Sequence, residues 1–120
     1  MHLTSADKNT KFGEIRLLGG TAPNEGRVEM FYDHFRTWST VCDDGWDDKN
    51  AVVVCRQPGF NTGGTAVGHA TFGEGTGEIY RSGIDCTGEE EKLSVCRNAE
   101  YRRTSKGDHT QDSGERCNGT

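Results

Sequence analysis

Cys42, Cys55, Cys86, Cys96 and Cys117 constrain this chain of 120 residues more than any other feature. Five cysteines leave at least one outside any intrachain bridge, and sequence alone leaves about fifteen ways of closing two bridges. Covalent help is needed. Leu, Ile, Val and Phe supply 19 of the 120 residues, below the roughly one-fifth at which apolar burial becomes too thin to order a chain unaided. Two tryptophans, five phenylalanines and a net charge of only -5 argue for a folded domain. Cysteine usage of this kind points to an oxidising compartment, outside the cell.

The length suits one domain, not two. Seventeen glycines imply many turns joining short elements. The acidic balance speaks against nucleic acid as a partner, which calls for a basic face. No apolar run approaches the roughly 18 residues of a membrane span. The opening MHLTSADKNTKFGE has no apolar core of a secretory signal. We read residues 1–12 as a flexible leader with an added start Met, ahead of a single mature domain at 13–120.

Glu14 to Leu18 reads as a first strand closed by Gly19-Gly20, and TAPNEG at 21–26 as a turn. Arg27 to Tyr32 and Trp38 to Cys42 read as a hairpin with Asp33 to Arg36 at its tip. Val28 and Met30 share one face of the first strand; Trp38, Thr40 and Cys42 share one of the second. Asp47 and Asp48 are N-cap candidates for a helix to Gln57, stopped by Pro58-Gly59. Val52-Val53-Val54 favours a strand by propensity, whereas Ala51, Val54 and Cys55 have helical spacing, so the residues leave both open. Residues 61–77 are expected to be loop, Ile79 to Ile84 a strand, Glu89 to Val95 a short helical turn, and the chain after Cys96 mostly irregular.

Seven blocks in order, IRLLGG (15–20), GRVEMFY (26–32), WSTVCDDGW (38–46), AVVVCRQPGF (51–60), HATFGEGTGEIY (69–80), IDCTGEEEKLSVC (84–96) and HTQDSGERC (109–117), resemble the scavenger receptor cysteine-rich (SRCR) family. The resemblance implies an α+β fold, a curved antiparallel sheet cradling one α-helix, and resolves residues 48–57 as that helix. It also implies the bridges Cys55–Cys117 and Cys86–Cys96. Relative to the eight-cysteine pattern, Phe60 stands at a cysteine position whose usual partner is also absent, as in the six-cysteine subgroup. Gly107 stands where the partner of Cys42 is usual, which leaves Cys42 unpaired: a buried inert thiol, or one that pairs between chains.

No histidine among His2, His34, His69 and His109 sits in a nucleophile or zinc motif, and FGEGTG lacks the Lys-Ser/Thr ending of a phosphate loop. The chain is therefore read as a binding module, not an enzyme, with no required cofactor. The family's cation sites map here onto Asp43, Asp44 and Gln111, two carboxylates and an amide, implying weak Ca2+ binding if any. The alternative is that both aspartates only orient the turn before Trp46. A second family site maps onto Ser82, Asp85 and Lys106, one carboxylate facing a lysine, and is expected to hold no ion.

Arg97, Arg102, Arg103, Lys106 and Arg116 form a basic cluster whose forks suit sulfate, phosphate and carboxylate groups. Glu100, Asp108, Asp112 and Glu115 are interspersed, so a solvated mixed surface is the rival reading. GRVEMFYDHFRTW resembles a family segment implicated in bacterial-surface recognition, with two extra residues before Trp38. Asn118-Gly119-Thr120 is a glycosylation sequon. The expected function is extracellular recognition of a polyanionic or microbial-surface ligand or of a protein. The alternatives are an adhesion or receptor module with one dedicated partner, or a non-catalytic domain of a secreted protease or oxidase.

Overall fold

The structure, a computed structural model, describes residues 13–32, 37–79, 83–98 and 109–118. The expected leader at 1–12 and the expected hairpin tip at 33–36 lie outside these residues. Among the described residues the strands and the α-helix are β1 (Ile15–Gly19), β2 (Glu25–Tyr32), β3 (Thr37–Thr40), α1 (Asp48–Arg56), β4 (Gly64–Val67) and β5 (Gly114–Cys117). All strand pairs are antiparallel. The eight-residue β2 organises the sheet. β1 covers one of its edges, with Leu17 opposite Val28; the other is shared between β5, opposite Glu25 to Arg27, and β3, opposite Glu29 to Tyr32. β4 pairs with the far edge of β5.

The helix starts at Asp47, whose side chain accepts a hydrogen bond from the Asn50 amide at 3.0 Å. Such a cap stabilises by about 1 kcal/mol. Pro58-Gly59 ends it. Val53, Val54 and Ala51 are fully buried, and the tertiary seat, not local propensity, decides the valine run for helix. Together with Val28, Met30, Val41, Ile84 and Leu93 they form the core between the helix and one face of the sheet. Asn50 is buried with them. Its side chain donates to the Ile84 carbonyl (2.8 Å) and accepts from the Cys86 amide (3.0 Å), tying the helix to a segment without regular structure of its own. Buried polar groups matched in this way avoid the desolvation cost of orphaned ones.

Four expectations need correction. Residues 61–77 are not all loop: Gly64–Val67 is β4, drawn into the sheet by β5 and held by Asp48, which accepts the Ala66 amide at 2.7 Å. The chain after Cys96 regains order in a 3-10 turn at His109–Gln111 and in β5. Both β4 and β5 are too short and too polar to show a burial period by themselves. Ile79 makes only an isolated bridge to Thr40, and Ile84 is buried outside any strand; 80–82 lie outside the described residues. The helical turn is a 3-10 turn confined to Leu93–Val95.

Candidate functional site

Because strand residues alternate in facing, the register assigns Arg16, Leu18, Arg27, Glu29, Phe31, Trp38, Thr40 and Arg116 to the face of the sheet turned away from the helix. Glu29 is the hinge of this face. It is 5% exposed, and each oxygen meets a different arginine. Arg16 donates from Nε and Nη2 to Oε1 at 2.9 and 2.7 Å, and Arg27 donates from Nε to Oε2 at 2.9 Å. The Arg16 guanidinium lies 4.4 Å from the centre of the Trp38 ring, within cation–π range. Residues 74–77 close the other side of a cleft of about 370 Å³, with Glu74 and Thr76 in its lining. One carboxylate thus orients two guanidinium groups and leaves part of each fork uncommitted. Farther along the same face, exposed Arg116 stands 3.4 Å from Glu25 and 5.1 Å from the centre of the Phe72 ring.

The loop bearing Glu74 is pinned from behind. Asp112, 1% exposed, accepts the Gly75 amide at 2.8 Å and faces His109 Nδ1 at 3.0 Å. His109 Nε2 donates to the Gly77 carbonyl at 3.0 Å. A carbonyl can only accept, so Nε2 carries a proton, and a second proton on Nδ1 satisfies the carboxylate as well. Burial is the largest influence and opposes the charge. The hydrogen bonds to Asp112 and Gly77, with the charges of Asp112 and Glu74, outweigh it and raise the His109 pKa above its usual value.

Asp43, Asp44 and Gln111 line one cavity of about 590 Å³, together with Trp46, Val67 and His69. Gln111 also accepts the Asp43 amide through its backbone carbonyl, at 2.8 Å. Asp43 has one oxygen engaged already, accepting the His69 amide at 2.7 Å. Gly68 permits this approach, since a Cβ there would stand 2.6 Å from that oxygen. The following His69 and Ala70 adopt φ of 53° and 52°, a costly conformation for residues with a Cβ, so the Asp43 contact helps hold a strained turn. The set offers the exposed Asp44, the remaining Asp43 oxygen and an amide. Calcium takes about six to eight oxygens, so these residues fit a largely hydrated ion and not a tightly held one. Asp85 is exposed and bridges to Arg97 through its backbone; Ser82 and Lys106 lie outside the described residues.

Cys55 is bonded to Cys117, and Cys86 to Cys96, with S–S distances of 2.05 and 2.11 Å. Cys42 is a buried free thiol. Burial pushes its pKa up, and the charges of Asp43 and Asp44 push the same way, which keeps it unreactive as a nucleophile. Of the basic cluster, Arg97 and Arg116 are among the described residues. Arg97 lies beside the Cys86–Cys96 bridge and Arg116 on β5; Arg102, Arg103 and Lys106 lie outside the described residues. Asn118 is exposed, and its side-chain amide donates to the Thr62 carbonyl at 2.7 Å. His69 is exposed, and His2 and His34 lie outside the described residues.

Arg16 and Phe72 are not among the site residues singled out from sequence, and Arg27 and Trp38 enter as such only within the segment GRVEMFYDHFRTW. The alternation of Glu25, Arg27 and Glu29 along one strand carries the signal for Arg27, because it places three charges on one face; Arg16 joins them only through the β1–β2 register. That Phe72 arrives beneath Arg116 has no signal in the sequence.

Residues 18–118 match the family model for the scavenger receptor cysteine-rich domain. The chain is 42% identical over 107 residues to a scavenger receptor cysteine-rich domain superfamily protein of Patiria pectinifera, covering 89% of this chain and 9% of that protein. It is 40% identical over 115 residues to galectin-3-binding protein of Mus musculus, covering 96% of this chain and 19% of that protein. It therefore spans less than a fifth of the length of either relative. Among solved structures, the third SRCR domain of murine neurotrypsin superposes with a TM-score of 0.78 at 41% identity, covering 87% of this chain and 94% of that one. The dimeric form of the SRCR domain of mouse MARCO gives 0.70 at 35% identity, covering 86% and 93%.

Proposed function

Because the chain belongs to the scavenger receptor cysteine-rich family, we propose that it is an extracellular recognition module that binds anionic surface ligands and carries out no chemistry itself. The observation that carries this reading is the placement of Arg16, Arg27 and Arg116 on one face of the sheet, two of them against aromatic rings. Guanidinium forks held in fixed orientation match sulfate, phosphate and carboxylate groups in pairs, and preorganisation lowers the ordering cost of binding. Glu25, Glu29 and Glu74 offset the arginine charges locally, so directed N–H donors, more than net charge, would select the ligand. Arg102, Arg103 and Lys106, outside the described residues, are the further basic candidates. Each exposed ion pair contributes only about 0–1 kcal/mol, and useful affinity then needs many copies against a repeating ligand.

Dextran-sulfate retention tests this, using the single chain and a tetramer of it. Wild type is expected to bind weakly alone and strongly when clustered, with Arg116→Ala and Arg102→Ala/Arg103→Ala each reducing retention of the tetramer. Undiminished retention in both variants would remove the arginines from the reading. A dedicated protein partner is the second reading, favoured by the similarity to a protein named for binding galectin-3; such an interface would tolerate high salt better than a polyanion contact does. We propose further that Asp43, Asp44 and Gln111 hold Ca2+ weakly, through water. Calorimetry should find weak binding that Asp43→Asn abolishes.

A further inference from the structure

Glu115 stands apart from every other acidic residue described. It is 0% exposed and lies on the helix-facing side of β5, opposite Gly26 of β2 and Ala66 of β4. Its Oε1 has no hydrogen-bond partner among the described residues. Its Oε2 lies 3.3 Å from Cys55 Sγ and 3.5 Å from Cys117 Sγ. Those sulfurs are bonded to each other and carry no proton, so the carboxyl alone can donate, and sulfur is a weak acceptor. The neutral acid has a partner here and the carboxylate has none.

The surrounding charges do not alter this. From α1, Asp48 is exposed and bonded to the Ala66 amide, Lys49 is exposed, and Arg56 donates to the carbonyls of Gly88 and Glu90. On β2, Glu25, Arg27 and Glu29 belong to the opposite face, as does Arg116 on β5. β4 has no titratable side chain. A bare carboxylate in such a place is strongly disfavoured.

We propose that Glu115 is a proton-operated lock on the seam between the helix and the sheet: protonated, it seals β5 against α1 beside the Cys55–Cys117 bridge, and its ionisation loosens that seam. The lock is independent of the ligand reading. Burial alone raises the Glu115 pKa well above the usual carboxylate value. The folded chain therefore holds this proton more tightly than the unfolded chain does. The destabilisation is absent below the unfolded pKa of about 4.3, grows as pH rises above it, and levels off past the folded pKa. Within that window each pH unit lowers the folding constant by about tenfold. The contribution of Glu115 itself is most favourable in acid.

Urea unfolding of the 120-residue chain with its bridges intact, from pH 5 to 9, provides the test. Glu115→Gln keeps the shape and removes the titration. The ratio of folding constants, Gln variant to wild type, should climb with pH by up to about tenfold per unit; dividing the two cancels other titrating groups. A ratio independent of pH would overturn the proposal. Should the Gln variant fail to fold, carboxyl 13C NMR of glutamate-labelled wild type decides instead. One glutamate resonance should titrate well above the ordinary carboxylate range, and titration of every glutamate in the ordinary range would overturn it.

Discussion

Glu29 and Glu115 are both buried glutamates on adjoining strands, and they sit on opposite faces of the same sheet. Glu29 lies between two guanidinium groups that satisfy both its oxygens. Glu115 lies among apolar groups and sulfur, with one oxygen unpartnered. Burial by itself therefore does not decide whether a charge belongs in a fold; the partner does. The helix-facing side excludes water by packing Val28 and Met30 against Val53 and Val54. The far side does so with oriented ion pairs, an aromatic pair (Phe31 and Trp38, centroids 5.4 Å apart) and the covering residues 74–77. One side is built for stability, and the other keeps its polar groups within reach of a ligand.

The comparison breaks first at the bridges. Cys55–Cys117 spans 62 residues and clamps the helix to β5, so Cys55→Ala/Cys117→Ala should lose roughly 4 kcal/mol by loop entropy. Cys86→Ala/Cys96→Ala, spanning 10 residues, should lose roughly 3 kcal/mol. Urea denaturation of the two double variants should rank them in that order. An inverted order would show that the helix-facing side does not depend on its long clamp.

The two glutamates give the sharpest contrast, because one substitution should act with opposite sign. Glu29→Val strands two partly buried guanidinium groups and should destabilise by about 2–3 kcal/mol. Glu115→Val removes an unsatisfied group from an apolar seat and should stabilise above neutral pH. Denaturant midpoints at pH 8 check both. Equal signs would dissolve the distinction between the faces.

The helix-facing side was the more legible in sequence, for a physical reason. Val28 and Met30 alternate, Asp47 caps, Pro58-Gly59 stops, and such local signals survive without tertiary information. The valine run required the family resemblance, since local propensity and helical spacing disagreed. β4 and β5 escaped because GTAV and GERC contain no burial period; β4 is a strand because β5 and Asp48 are there to pair with it, and β5 because β2 and β4 flank it. The arginine face was half legible. Arg27 and Glu29 declare their shared side by spacing, but Arg16 joins them only through the β1–β2 register, and Phe72 reaches Arg116 only through the fold. The basic cluster was grouped by nearness in sequence, which says nothing about facing.

Acid should firm the far side as well, through His109. Its raised pKa means the folded chain favours the imidazolium that holds both Asp112 and the Gly77 carbonyl. That stabilisation is full below the unfolded histidine pKa of about 6.5 and is lost as pH rises through the higher folded value. His109→Gln should flatten stability against pH above about 6.5 and speed amide exchange at Gly75. Unchanged exchange at Gly75 would mean that the loop over the cleft does not depend on the histidine.

The smallest expected change in stability is at Arg116, and it separates structure from recognition on the arginine face. Arg116 is exposed, its contact with Glu25 is long at 3.4 Å, and its Phe72 contact is 5.1 Å from the ring centre. Exposed pairs of this kind often add nothing measurable to folding. Glu25 keeps its hydrogen bonds from the Thr21 amide and hydroxyl, both at 2.9 Å, whether Arg116 is present or not. Arg116→Ala should therefore leave the thermal midpoint where it is, whereas loss of Glu29 lowers it. Ligand retention should move in the other direction of sensitivity: a clustered chain loses one oriented fork per copy, and avidity multiplies that loss across the cluster. A variant with wild-type stability and reduced retention assigns Arg116 to the ligand. A lowered midpoint with full retention would place it instead in the same structural ladder as Arg16 and Arg27, and would confine recognition to the cleft beside Trp38.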